Sequence, residues 1–177
     1  MFYRSLRIGL HGKPFYLLKF RTFRRGLDGG LPTASINDER LSKVGKWLRR
    51  LKADELPTII NLIRGDIALI GPRPDTVEEI ATLDQKTRNI VLSVKPGIIG
   101  PATLHNYKED ETLSSVDEPH RYYTEVLKPV KYWLNCYYVK NRTPWYNVRI
   151  LMAFITRYFG IQPKFWKIYP PNFMGDE

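Results

Sequence analysis

Prolines and glycines confine whatever the chain builds between residues 52 and 74 to short pieces. Lys52-Ala53-Asp54-Glu55-Leu56-Pro57 sets two adjacent carboxylates beside a proline bend. Pro57 is tolerated in the first turn of a helix, where an early amide has no intrahelical partner, so a short helix is predicted over 55–63. Ile59, Ile60, Leu62 and Ile63 make that helix too apolar for an ordinary wet surface, and they are expected in the core or against a membrane. Arg64-Gly65-Asp66 ends it, and Ile67-Ala68-Leu69-Ile70 reads as a short buried strand. In Gly71-Pro72-Arg73-Pro74 each proline fixes its own φ and restricts its predecessor, which leaves Arg73 on a stiff turn. A chain interrupted this often is expected to fold as α/β, mostly helical, with short strands and long ordered connections.

The flanking sequence agrees. Residues 1–25 read as a basic ribbon, two extended segments joined by a turn at Ile8 to Pro14, with Lys19, Arg21, Arg24 and Arg25 behind. Gly26 to Pro32 is a loop with a candidate turn at Asp28-Gly29-Gly30, and residues 33–39 are polar. Leu41, Val44, Leu48 and Leu51 recur at helical spacing among Arg40, Lys43, Lys46 and Arg50, which predicts a basic amphipathic helix over 40–51. Asp75 followed by Glu78 forms a candidate capping box for a helix running to about residue 90. Val91 to Val94 reads as extended, and Lys95 to Pro101 as a sharp path. Residues 105–119 are polar and acidic, a surface excursion suited to substrate contacts. A helix bent at Pro129 is predicted from about residue 120, broken at Lys140 to Pro144, and a last helix over 145–159 carries the aromatics and arginines of an interfacial helix.

Composition narrows the function classes. The net charge of +10 favours phosphate-rich partners such as nucleic acid, anionic lipid or a nucleotide-linked substrate. A content of 43% hydrophobic residues excludes a disordered basic tail. One cysteine, Cys136, excludes an intrachain disulfide and a cysteine zinc cluster. The residues from Met1 to Arg7 are not expected to form a secretory signal, and no run of about 18 apolar residues is seen that would span a bilayer.

Asp54 and Glu55 carry two readings. Neighbours on a helix point in different directions, so they do not form a symmetric acid–base pair. In the plain reading Asp54 is an N-cap and Glu55 complements the helix dipole, although Pro57 at N3 offers no amide to the cap. In the chemical reading the two carboxylates hold a divalent metal and attack or steer a phosphate, while Arg73 grips phosphate oxygens with a fork of restricted freedom. Lys19, Arg21 and Arg49 are further candidates for phosphate contact.

Several motifs in one order resolve the choice. Lys19-Phe20-Arg21-Thr22, Val44-Gly45-Lys46-Trp47-Leu48-Arg49-Arg50, Ala53-Asp54-Glu55-Leu56-Pro57, Asn61-Leu62-Ile63-Arg64-Gly65-Asp66, Leu69-Ile70-Gly71-Pro72-Arg73-Pro74 and Val94-Lys95-Pro96-Gly97-Ile98-Ile99-Gly100 together resemble the bacterial sugar transferases, the monotopic polyprenyl-phosphate phosphoglycosyl transferases. The resemblance implies one catalytic domain over residues 1–177, on the cytoplasmic face of the inner membrane. It implies transfer of a sugar-1-phosphate from a UDP-sugar to polyprenyl phosphate, with Mg²⁺ as cofactor and downstream glycosyltransferases as possible partners, in initiating glycan assembly. It makes Asp54 the nucleophile and Glu55 its partner, both near the metal, and Arg73, Arg49 and Arg64 phosphate-binding or site-organising residues.

Three departures accompany it. The apolar re-entrant helix that such enzymes carry before the segment matching Phe2-Tyr3-Arg4 is expected to be missing, Thr58 stands for the usual Gln, and Asn147 stands for the usual Asp. These departures keep a rival in view, a truncated, non-catalytic homologue that binds lipid or partner proteins. A nucleic-acid-binding module rests on charge alone, since no aromatic pattern resembles a stacking sheet motif, and no nucleic-acid partner is expected.

Overall fold

The computed structural model describes residues 2–24, 26, 39–51, 53–107, 109–157, 159–161 and 166–170. The turn expected at Asp28-Gly29-Gly30, residues 33–38, Lys52 and parts of the aromatic tail lie outside them.

The basic ribbon is an antiparallel hairpin, β1 (Phe2–Ile8) and β2 (Pro14–Phe20), in register from Phe2 opposite Phe20 to Ile8 opposite Pro14. Phe2 and Phe20 stack across the open end with ring centroids 5.7 Å apart. The free edge of β2 is closed by side chains. Asn61 accepts from the Leu18 amide at 2.9 Å and donates to the Tyr16 carbonyl at 2.8 Å, and the Thr58 hydroxyl donates to the Leu18 carbonyl at 3.0 Å. Both residues belong to α2 (Thr58–Arg64) and both are buried. Polar groups thus take the inner face of α2, and Ile59 and Ile63 are turned outward, 58% and 80% exposed.

Helix α1 (Lys43–Arg50) is capped by Ser42, whose hydroxyl accepts from the Gly45 amide at 2.9 Å. Gly45 lies so close to the Thr22 backbone that a Cβ there would sit 2.0 Å from the Thr22 oxygen. The sequence predicts the right helix and misplaces its apolar stripe. Leu41 lies before the helix and is buried, whereas Val44, Trp47 and Leu51 are exposed. An N-cap at Asp54 is not formed either. Ala53–Glu55 is a 3₁₀ turn, and α2 begins after Pro57 with no side-chain cap.

Strand β3 (Ala68–Ile70) pairs in parallel with β4 (Gly97–Ile99). A parallel pair needs a crossover, supplied here by α3 (Val77–Ala81) and α4 (Gln85–Val91). The single helix expected from Asp75 to about residue 90 is therefore two. Thr76, not Asp75, caps the first through the Glu79 amide, and Asp84 caps the second through the Lys86 and Thr87 amides. Val91 ends α4 rather than starting an extended segment, and the strand begins at Gly97.

Helices α5 (Pro101–His105), α6 (Glu109–Ser114) and α7 (Pro119–Tyr122) follow, so the acidic stretch is partly helical and sends Leu113 into the interior. A π-helical segment over Tyr123–Leu127 leads into α8 (Lys128–Asn141). The π turn admits Pro129 in the first turn of α8, where its missing amide is harmless. Helix α9 (Pro144–Arg157) completes the core, in which Ile99, Leu104, Tyr138, Tyr146, Ile150, Ala153 and Ile168 pack together. Its apolar character is thus divided. Ile150 and Ala153 are buried, while Trp145, Val148 and Ile155 remain exposed.

The protein is a mostly helical single domain with short strands. Among the described residues no helix is long and apolar enough to cross a membrane.

Candidate active site

The 3₁₀ turn after α1 delivers Asp54 and Glu55 to the hairpin edge, and the proline-bounded turn after β3 delivers Arg73 to the same place. Glu55 is the hub. Its Oε1 accepts from the Lys19 ammonium at 2.7 Å and from Arg73 Nη2, and its Oε2 accepts from Arg73 Nη1 at 3.0 Å. The Arg73 contact is bidentate, the geometry in which a guanidinium holds a carboxylate most firmly. Burial alone would raise the Glu55 carboxyl, but Arg73 and then Lys19 overturn this and hold it far below the usual range. Arg73 is held protonated by Glu55 against its own burial. Lys19 is pulled below its ordinary value by burial, with Glu55 acting in the opposite direction.

Asp54 is shifted the other way. Burial and then the neighbouring Glu55 charge raise its carboxyl, opposed by Lys19 and Arg49. The hydrogen bonds of Lys19 and Arg73 go to Glu55, not to Asp54. Two adjacent carboxylates therefore hold distinct states, one locked as an anion in a cationic cradle and one poised in a partly desolvated position.

The other expected site residues separate. Arg49 ends its side chain over the Phe23 ring, 5.2 Å from the centroid, and acts on Asp54 through its charge. Arg21 lies over the Tyr3 ring at 5.5 Å. Arg64 closes α2 on an exposed position, and the side chains bonded to Glu55 are those of Lys19 and Arg73. Thr58 closes the β2 edge. Asn147 Oδ1 accepts from the Tyr138 hydroxyl at 3.0 Å, a hydroxyl that also lies 3.3 Å from the Ile70 carbonyl behind the Arg73 turn.

No group of three or more His, Cys, Asp and Glu side chains able to hold a metal is assembled among the described residues. Both Glu55 oxygens already accept from cations, so Asp54 is the carboxylate of the pair with oxygens clear of those bonds. One carboxylate completed by substrate phosphates is a donor set that Mg²⁺ accepts, whereas Ca²⁺ takes more oxygens.

Sequence reasoning missed one cluster beside the site. Asp75 is 3% exposed, and its carboxylate meets Lys131 Nζ at 2.6 Å and the Tyr132 hydroxyl at 2.9 Å. Glu79 and Tyr123 complete it. No periodic signal links residue 75 to residue 131. The one available clue was an acid locked behind Pro74, and it reads equally well as a cap.

Arg73 and Lys19 thus form a cationic fork over Glu55, with Asp54 beside it. The family model described as bacterial sugar transferase matches residues 1–160, and the chain belongs to that family. It is 32% identical over 166 residues to the UDP-glucose:undecaprenyl-phosphate glucose-1-phosphate transferase of Escherichia coli (strain K12), covering 92% of this chain and 33% of that protein. It is 33% identical over 156 residues to the UDP-N-acetylgalactosamine-undecaprenyl-phosphate N-acetylgalactosaminephosphotransferase of Aeromonas hydrophila, covering 84% and 33%. It is 42% identical over 108 residues to the uncharacterized sugar transferase EpsL of Bacillus subtilis (strain 168), covering 59% and 51%. The chain spans about a third of the length of the first two of these relatives.

Proposed function

We propose that the chain transfers a sugar-1-phosphate from a UDP-sugar to polyprenyl phosphate, with Asp54 as nucleophile. The observation that carries this reading is the division of labour between the two carboxylates. Glu55 accepts from Arg73 and Lys19 on both of its oxygens, and Asp54 accepts from neither. An ionised Asp54 oxygen attacks the sugar-linked phosphorus and the bond from that phosphorus to the bridging oxygen breaks. UMP leaves with the electron pair, and the phosphosugar remains on Asp54. An oxygen of polyprenyl phosphate then attacks the same phosphorus and releases the Asp54 carboxylate. Arg73 and Lys19 supply fixed positive charge close to the reacting phosphates without reorganising during the reaction. Glu55 keeps those cations in place. Mg²⁺, held by Asp54 together with substrate phosphates, would neutralise charge on the diphosphate as it is cleaved. Arg49 favours the ionised form of Asp54; Arg21 and Arg64 are assigned to peripheral contact with the phosphate-bearing substrates.

The two substrates differ in where they live. A sugar nucleotide arrives from the cytoplasm and a polyprenyl phosphate lies in the bilayer, so the site works at the cytoplasmic face of the membrane. The product is a lipid-linked phosphosugar on which further glycosyltransferases would build.

The test is UMP release from a panel of UDP-sugars by the full chain reconstituted with membrane, Mg²⁺ and polyprenyl phosphate, beside Asp54→Asn. Asp54-dependent UMP release matched by lipid-linked phosphosugar is expected, with loss of at least about a thousandfold in the variant. Folded, membrane-bound protein that releases no UMP would point to the non-catalytic homologue instead.

A further inference from the structure

The Arg73 turn is held at every residue around it. The Pro72 carbonyl accepts from the Gly97 amide at 2.7 Å, and the Pro74 carbonyl accepts from Arg7 Nη1 at 3.3 Å. The Asp75 carbonyl accepts from the Ile8 amide at 3.0 Å. The Asp75 side chain then reaches in the opposite direction, into the helical half of the molecule. Its Oδ1 takes Lys131 and its Oδ2 takes Tyr132, consecutive residues at the start of α8. Lys131 is itself saturated, with the Tyr123 hydroxyl at 3.3 Å and Glu79 Oε1 at 3.5 Å. Burial disfavours its charge, and the facing Asp75, Tyr123 and Glu79 more than restore it.

As a stability device this cluster is inefficient. Removing two charges from water costs several kcal/mol per ion, which their mutual attraction barely offsets. What a fully satisfied buried network does supply is one fixed geometry. That geometry matters here because the stiff backbone of Pro72-Arg73-Pro74 transmits any displacement of Asp75 to a guanidinium that must fork onto both Glu55 oxygens.

We propose that Lys131 and Tyr132 are positioning residues for the transfer reaction: by clamping the Asp75 carboxylate from α8 they fix the Arg73 turn, and through Arg73 they set Glu55 beside Asp54. The inference rests on the proposed transferase reading for its kinetic half only.

The test uses the full chain in detergent micelles and the paired variant Asp75→Asn with Lys131→Met, which removes both charges of the closest pair together and leaves Glu79 its hydrogen bond from the Tyr123 hydroxyl. Two readouts are taken on protein whose unfolding midpoint stays within about 5 °C of the parent. The first is the ¹⁵N–¹H signal of the Arg73 guanidinium Nη–H groups that donate to Glu55, assigned through Arg73→Lys. It is expected to be slow in hydrogen exchange in the parent and to exchange at least about tenfold faster in the variant. The second is steady-state UMP release. A fall in kcat of about 10- to 100-fold, with KM for the UDP-sugar changed by less than about threefold, is expected from misplacing a group that acts in the transition state. An unchanged Arg73 resonance overturns the clamp. A loosened Arg73 with unchanged kcat, or a raised KM at unchanged kcat, overturns the positioning role. If the parent itself releases no UMP, the transferase reading fails and the Arg73 resonance alone decides the clamp. If the paired variant does not fold, Tyr132→Phe takes its place. That change removes one hydroxyl, and a two- to fivefold fall in kcat is expected at about 1 kcal/mol per hydrogen bond; no fall overturns the proposal.

Discussion

Arg49 illustrates how a residue can shape the site through its charge. Its guanidinium lies over Phe23, yet its charge is one of two that oppose the raising of Asp54 by burial and by Glu55. As the proposed nucleophile Asp54 must be ionised, so transfer is expected to fall as pH drops through its pKa, on an acid limb above that of an ordinary aspartate. The sign for Arg49 follows. A nearby cation favours the carboxylate, so Arg49→Met raises the Asp54 pKa further and moves the acid limb to higher pH, with little change on the plateau. The pH profile of kcat for the variant and the parent, measured at low salt, checks this. A limb that stays in place, or moves to lower pH, would show that Arg49 does not act on Asp54. Glu55 gives no such limb in the working range, since its cations hold it ionised far into acid. Because its folded pKa is depressed, the stability it contributes is present above its unfolded pKa and is lost only as pH falls toward the folded one.

At the scale of elements, the start of α2 separates two roles that the sequence left open. A capping aspartate would be worth about 0.5–2 kcal/mol to the helix, but α2 begins after Pro57 and takes no side-chain cap. The partly buried Asp54 charge is instead a cost to the fold. Its raised pKa means that its contribution is favourable below the unfolded pKa and is lost as pH rises through the folded one. Asp54→Ala is therefore expected to keep or raise the unfolding midpoint at pH 7, by up to about 3 °C. A calorimetric fall corresponding to about 1 kcal/mol would restore the cap. The hairpin, the helix after Ser42, the stop at Gly65 and the stiff Arg73 turn were legible because local chemistry dictates them. Asp75 was not, because a carboxylate followed three residues later by an acid has the same sequence pattern whether it caps a helix or waits for a lysine 56 residues away. The direction of the apolar stripes was also illegible. Val44, Leu51, Ile59 and Ile63 mark a face by their spacing, but spacing does not say what covers it. In α2 the inner face went to Thr58 and Asn61, because the open edge of β2 needs hydrogen-bonding partners more than it needs methyl groups.

The whole molecule is divided by what each half buries. The helical half closes on an apolar core around Leu104, Tyr138 and Ile150, while the hairpin half is pinned by polar contacts and leaves Val44, Trp47, Leu51, Leu56, Ile59 and Ile63 largely exposed on, and in the turns between, the two helices that flank Asp54 and Glu55. Exposed apolar groups at such density on a domain with a net charge of +10 are suited to a membrane surface. Half-inserting each of these side chains would be worth on the order of 1 kcal/mol, which makes the patch comparable to a single acyl chain, and one acyl chain holds a protein only marginally. The second signal is charge. Lys43, Lys46 and Arg50 lie on α1 beside the patch, and a basic residue near an anionic leaflet contributes about 1 kcal/mol. Binding is therefore expected to need both. Cosedimentation with vesicles containing anionic lipid should weaken about tenfold or more on Ile59→Asp with Ile63→Asp, changes at exposed positions that leave the Asn61 and Thr58 bonds intact. It should also weaken in the parent when anionic lipid is replaced by neutral lipid or when salt is raised. Retained binding by the folded double variant would mean that the protein meets the membrane through another face, such as the exposed side of α9 at Trp145, Val148 and Ile155, and would separate the Asp54 site from the bilayer that would supply the proposed lipid substrate.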